Sequence, residues 1–459
     1  MRFIRSRCLT LALFIALQPT ARGQDELSRP TSGPSLSAVG TGRSVSIGDR
    51  QPTESPLSLE NAIDLALRQV STFRQAELNQ FIAQEELAQA RAAFRPRVQL
   101  GSSYIYTSPS GMQGATAPSF IAANAINEYQ LLLSVGGEVD LSGRLRANLG
   151  RARALLEAAR AGTEAARREL IFATTEAYYQ LALTTARRQA AERNLAAAEE
   201  FERITRLLLD GGEVAPVDLV RAQVQTATRR DELERARTEE TVAANLLRAL
   251  IGYSEAQPIA VRDLLAAMPQ EGELERYAAD LVQQRPELAQ LEAERRASLE
   301  EARLARAERR PQITYSFGGG SDSSSLFHAG QNAGLTATVG LAIPIFDWGA
   351  SRSRERQALL RAQVTDSELA LARRRFIQEF NDARAQALAA LRRLRTIGES
   401  VKAAESNLRT SIARYRAGEA SIIEVTDAQT TLVAQQAALY QAIYDYQVAR
   451  ARLKQATGK

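Results

Sequence analysis

The sequence predicts a membrane α+β fold with an internal two-fold repeat. Each chain would supply four strands to a β-barrel, and the barrel would continue into a long α-helical coiled-coil barrel. Three observations predict it. Residues Gly143 to Gly252 align with Gly349 to Gly458 at a constant offset of 206, without a gap over 110 positions. At that offset Arg167, Arg168, Ile171, Ala177, Gln180 and Arg187 meet Arg373, Arg374, Ile377, Ala383, Gln386 and Arg393. Likewise Gly212, Glu213, Ala222 and Gln223 meet Gly418, Glu419, Ala428 and Gln429. A pair of strand-like stretches with period-two alternation precedes each copy. Each copy then runs roughly 65 residues without proline, which at 1.5 Å per residue is a rod on the order of 100 Å. An internal repeat fixes the architecture before any single residue does.

The N-terminus reads as a secretory signal over residues 1–23. Arg2, Arg5 and Arg7 form a charged start, Cys8 to Leu17 a short apolar run, and Ala21, Arg22 and Gly23 a small-residue cleavage region. An uncleaved anchor is the alternative, although the run is too short to span a bilayer as a helix. Cleavage after Gly23 removes the only cysteine, and with it disulfide, thiolate and cysteine-metal chemistry. It also leaves 54 basic against 53 acidic residues. The high isoelectric point therefore comes mostly from the leader, and nucleic-acid binding loses its support. No later segment approaches the roughly 18 consecutive apolar residues of a membrane helix, so any membrane entry must be as strands.

Residues 24–56 are rich in Ser, Pro, Gly and Thr and read as a disordered leader. The first structural repeat is placed at 57–262 and the second at 263–459. Order begins with Ser58 as an N-cap, with Glu60 and Asp64 near the positive helix end. This helix continues, with a break near Ser71, to about Phe94, and Pro96 ends it. Glu301 to Arg310 followed by Pro311 copies this end.

The strands are expected at about 97–107, 129–141, 312–319 and 333–346. Val98, Leu100, Ser102, Tyr104 and Tyr106 alternate with polar or small residues, and Leu335 to Ile345 alternates most cleanly. A tilted membrane strand needs roughly 9 to 11 residues. Long polar loops on one side (108–127 and 318–333) with short connections on the other match outer-membrane barrels. A soluble two-hairpin β domain is the plainer alternative. The helical hairpins follow at 144–252 and 350–458. Val425, Ala428, Leu432, Leu439, Ile443 and Tyr446 step as a coiled-coil seam. The helix before the strands and the return helix together roughly match the long rod, so stacked end to end they would be its partner.

Four strands cannot close a barrel, and an open edge in lipid leaves unpaired backbone groups costing several kcal/mol each. Three chains would give twelve strands and an open lumen. Two would give eight, a barrel usually filled by its own side chains. A homotrimer is the expected closure.

Three segments carry a family resemblance: LSLENAIDLAL (57–67), PIFDWG (344–349) and YRAGEASIIEVTDA (415–428). In that order they resemble the TolC-like outer membrane efflux proteins, or outer membrane factors, from about residue 57 onward. The resemblance implies a trimeric channel, with a β-barrel in outer membrane lipid and an α-helical tunnel crossing the periplasm. It implies docking on a periplasmic adaptor (membrane fusion) protein and an inner-membrane pump, and passive conduction in tripartite efflux or type I secretion.

It also implies site residues. Glu424 and Asp427, spaced i, i+3, would bring six carboxylates to a periplasmic gate, where crowded acids attract cations; the plainer role is complementing a helix dipole. Tyr415 and Asp218 match positions that latch neighbouring hairpins, while Ala420 departs from an arginine used there, for which Arg416 is a candidate substitute. The turns at Gly211, Gly212 and Glu213 and at Gly418 and Glu419 would contact the adaptor, or simply cap helices. Tyr104, Tyr106, Tyr129, Phe346 and Trp348 sit near strand ends as membrane-interface aromatics, or as core. No enzyme motif, cofactor site or metal site is expected, and His328 stands alone. The second reading is a secreted or periplasmic coiled-coil structural or adaptor protein. The strand pairs separate the two: lipid-facing in a channel, soluble in the alternative.

Overall fold

A computed structural model describes residues 56–107, 127–269, 272–325, 333–417 and 419–458. Residues 1–55, which hold the expected signal sequence and nearly all of the expected leader, most of the two long inter-strand loops, His328 and Gly418 lie outside the described residues.

Helix α1 (Leu59–Arg68) starts at Ser58, whose side chain accepts a bond from the Asn61 N–H at 3.2 Å. Gln69 is extended, and Ser71 then caps α2 (Thr72–Ala92) by accepting from the Arg74 N–H. Two capping serines thus split one apolar pattern into two helices. Strands β1 (Arg97–Tyr106), β2 (Asn127–Val139), β3 (Gln312–Ser323) and β4 (Ala333–Ala342) form one antiparallel sheet in the order β1-β2-β3-β4. β3 runs past residue 319 because Gly318, Gly319 and Gly320 stay in register with Ser134, Leu133 and Leu132. Glycine carries no alternation signal, so that extension is invisible to pattern reading. β4 stops at Ala342, short of 346, and Pro344 beyond it has no N–H to donate. β2 likewise begins at Asn127 and ends at Val139, two residues earlier at each end than the 129–141 expected.

The register sorts the sheet into two faces. On one lie Val98, Leu100, Leu133, Val135, Phe317 and Val339, paired across the four strands. On the other lie Gln99, Ser134, Ser316 and Thr338 with a series of glycines. The apolar face is bare: Leu335 is 94% exposed and Leu100 69%. Among the described residues β1 and β4 are both unpaired edges.

Helices α3 (Arg144–Asp210) and α6 (Ala350–Arg416) each have 67 residues, so each spans about 100 Å at 1.5 Å per residue. Gly143 and Gly349 precede them with φ of 82° and 84°, a left-handed turn that glycine adopts without penalty. Asp140 and Asp347 accept from the first free N–H groups of the two rods. Helix α4 (Pro216–Ile251) returns along α3, and α7 (Ile422–Ala456) returns along α6. α2 also packs on α3, and α5 (Pro286–Ala307) packs on both α3 and α6. α7 touches α3 as well. Short pieces therefore stack along the rods, and α2 and α4 on one side and α6 on the other bound the wall. Among the described residues no helix is long and apolar enough to cross a membrane.

The cores lie at mid-rod. Ala177, Leu181, Leu247, Ile251 and Ile443 are buried with α1 in one cluster, and Phe376, Phe380, Ala383, Ala387 and Leu453 in another. Leu170, Ala177, Leu181 and Leu247 become Phe376, Ala383, Ala387 and Leu453 at the offset of 206, so the repeat preserves burial both where it keeps the residue and where it changes it. Buried Arg285 is held by Glu287 at 3.1 Å and Glu379 at 2.9 Å, with its guanidinium 3.8 Å from the Phe376 ring centre.

Leu247→Ala should lower the unfolding free energy by about 2–5 kcal/mol, the cost of a buried cavity. The exposed neighbour Leu246→Ala should change it by less than about 0.5 kcal/mol. Denaturant melts of the helical circular dichroism signal in detergent compare the two.

Candidate functional site

At the far end of the rods the two hairpins meet. Helix α3 ends as the Gly211, Gly212 and Glu213 N–H groups bond to Leu207, Leu209 and Leu208 carbonyls at 2.8–3.0 Å. Gly212 has φ of 75°, which makes the turn glycine's. Pro216 opens α4, and Asp218 lies in its first turn with Arg221 at 3.4 Å. In the second hairpin the Glu419 N–H bonds the Arg414 carbonyl at 2.9 Å, and Ser421 caps α7. Glu213 and Glu419 are exposed at the tips.

Glu424 and Asp427 differ in their surroundings. Glu424 pairs with Arg414 at 3.1 Å, both side chains about half exposed, and the same arginine donates to the Glu419 carbonyl at 3.2 Å. Arg414 thus fastens the second turn and neutralises Glu424. Asp427 is exposed and makes no ion pair among the described residues. Arg414 was missed by motif matching. The antiparallel register of the hairpin, ten residues apart across one turn, is the signal that points to it.

Between the hairpins lies a cavity of about 790 Å³ lined by both, including Phe201, Asp218, Ile412, Tyr415 and Ala420. Tyr415 and Asp218, which come from different hairpins, share it. The Tyr415 ring packs 5.9 Å from Phe201 over a buried cluster with Ala222, Ile422 and Val425. Its hydroxyl is buried without a hydrogen-bond partner of good geometry among the described residues, while the Thr205 hydroxyl, which donates to the Phe201 carbonyl, is a polar neighbour that favours its ionised form. Burial first, then the charge of Asp218, pushes the Tyr415 pKa up, and Thr205 offsets part of that. The carboxylate and the phenol therefore face each other without bonding.

At the opposite end the aromatics divide into two levels. Tyr104 and Tyr129 are register partners with rings 5.0 Å apart, and Tyr106 lies two residues beyond, away from the helices. Phe346 and Trp348 stack edge-on at 4.7 Å where the sheet joins α6, and are 73% and 90% exposed. Trp348 has φ of 56°, an outlier for a bulky residue. Tyr315 and Phe317 share the apolar face at intermediate height and were not singled out from the sequence.

A family model described as outer membrane efflux protein matches residues 62–253 and 278–459, the two halves of the repeat. The chain belongs to this family. The four-stranded sheet of this outer membrane efflux protein accordingly sits in the outer membrane and its helical rods in the periplasm. It is an outer membrane efflux channel.

Among curated relatives, the nodulation protein T of Rhizobium leguminosarum bv. trifolii is 26% identical over 285 residues, 59% of this chain and 57% of that protein. CyaE of Bordetella pertussis is 26% identical over 443 residues, 93% of this chain and 90% of CyaE. The pyoverdine export outer membrane protein OpmQ of Pseudomonas aeruginosa is 25% identical over 338 residues, 72% and 70% of the two chains. The solved structure of the outer membrane protein VceC from Vibrio cholerae matches with a TM-score of 0.76 at 21% identity, covering 87% of this chain and 96% of VceC. The Campylobacter jejuni CmeC outer membrane channel matches at 0.77 and 18% identity, covering 87% and 85%. At these identities the solved structures establish the shared fold.

Tyr415→Phe removes an unpartnered hydroxyl and should leave the unfolding midpoint within about 0.5 kcal/mol of the parent. A loss of more than about 1 kcal/mol in detergent melts would show that the hydroxyl has a partner in the assembled channel.

Proposed function

We propose that three copies of this chain form the passive exit duct of a tripartite efflux or type I secretion system. The observation that carries the reading is the sheet: four strands, an apolar face, a polar face, and two edges with no partner among the described residues. The strands have 10 to 13 residues, which suits a tilted span of lipid. Twelve strands leave a lumen where eight would fill with side chains. The sequence carries no phosphate-binding loop motif, so on this reading an inner-membrane pump supplies the energy and a periplasmic adaptor joins the two. Adaptor contact falls to the hairpin tips at Gly211, Gly212, Glu213, Gly418 and Glu419. Tyr104, Tyr106 and Tyr129 form the outer aromatic girdle, and Phe346 and Trp348 the inner one.

The periplasmic gate is assigned to the tips with a division of labour. Asp427 carries the free negative charge that meets its copies about the axis. Glu424 is engaged by Arg414 and holds the turn. Asp218 and Tyr415 set the contact between hairpins across the cavity, and Ala420 lines it without adding a bond. The cargo class of a relative such as the pyoverdine exporter extends to this chain only by analogy.

In planar bilayers Asp427→Asn should raise single-channel conductance and weaken block by periplasmic divalent cations roughly tenfold, on the scale of a lost carboxylate ring. Glu424→Gln should weaken that block by less than about threefold, since half-exposed ion pairs are worth little. Equal effects of the two substitutions, or none from Asp427→Asn, would remove the gate assignment.

A further inference from the structure

The polar face of the sheet is not uniform along its length. At its helix-proximal end a recess of about 290 Å³ is lined by Arg95, Arg97, Ser134, Thr314 and Ser316 together with Glu138 and Arg144. Arg97 pairs in register with Gly136, on the face opposite Val98, and so lies on the polar side. Arg144 is already taken, because Glu138 receives its Nε at 3.1 Å and a second, shorter bond from its other nitrogen. Arg95 and Arg97 are exposed and have no carboxylate partner among the described residues.

No counter-charge is close to hand from the strand that would close the barrel. β4, the edge that meets β1 of the next chain, reads AGLTATVGLA and carries no charged side chain. Just past it, Asp347 caps α6, Glu355 is shared by Arg306 and Arg309, and Glu308 holds Arg354. Of the three polar-face acids of the described strands, Glu138 in the recess is engaged by Arg144, and Glu128 and Asp322 lie at the far end of the sheet beside Ile105 and Gln130.

We propose that Arg95 and Arg97 form a basic collar where the barrel meets the helical tunnel, a binding ring for polyvalent anions that favours anionic cargo. This rests on the trimeric channel reading, in which two free guanidiniums per chain become six around one axis. Rings of Arg or Lys select anions in pores because the charges act together across a narrow, partly desolvated lumen. Their field reaches about 10 Å at 0.1 M salt and about 3 Å at 1 M. The collar is reached from the exterior before the periplasmic tips, so an external probe tests it apart from the gate.

The experiment is block of single-channel current by tripolyphosphate added on the exterior side, with the parent and an R95Q/R97Q variant. Variant channels must first migrate as assembled oligomers in unheated gels. The parent should be blocked, with the apparent affinity at least about tenfold weaker in the variant and falling steeply with salt. The chloride-to-potassium permeability ratio should drop in the variant and drop further in R97E. Block that is absent in conducting parent channels, or equal in parent and variant, overturns the collar. Parent protein that assembles yet never conducts overturns the channel reading instead.

Discussion

A strand edge in hydrocarbon has nothing to bond to, and that constraint governs the rest of the molecule. β1 and β4 each present a free edge. In water such edges would be covered or blunted. In lipid each unsatisfied backbone group costs several kcal/mol, so the sheet must close on itself or on copies of itself. Four strands are too few to close alone. On the proposed reading the chain is a sector of a tube, and its helices have to continue the same sector without leaving a gap.

The helical wall meets that demand. The rods α3 and α6 emerge from β2 and β4 through equivalent glycine turns, each with a nearby aspartate that accepts from N–H groups at the start of the rod. Stacked partners fill the space along them, and the first mid-rod cluster ties the two halves together, since it joins residues of the first repeat to Leu394, Tyr440 and Ile443 of the second. Alanine at many buried sites keeps the helices close. What remains outside the wall is an apolar sheet face at one end and two short turns at the other. Membrane contact and periplasmic contact are thus set at opposite ends of a rod about 100 Å long.

Most of this was legible in the sequence, for reasons that can be named. Unbroken helical stretches between glycines need no tertiary knowledge, and Ser58, Ser71 and Pro96 mark boundaries by local chemistry. The strand ends were less legible. The run Gly318 to Gly320 pairs fully yet has no side chains to alternate, and Pro344 cuts β4 short of its apolar pattern. At the tips the motif led to Glu424 and Asp427 as equals. The difference between them depends on Arg414, across the turn, which only the folded hairpin brings to 3.1 Å. The Tyr415 hydroxyl is another such case, since Phe201 and Thr205, which surround it, belong to a different helix.

The central claim is closure by three chains. Light scattering with detergent subtraction, on mature protein extracted from outer membranes, measures the protein mass of the particle directly. A mass of three chains is the predicted result. A stable monomer or dimer, or a protein that stays dispersed without detergent, would contradict it.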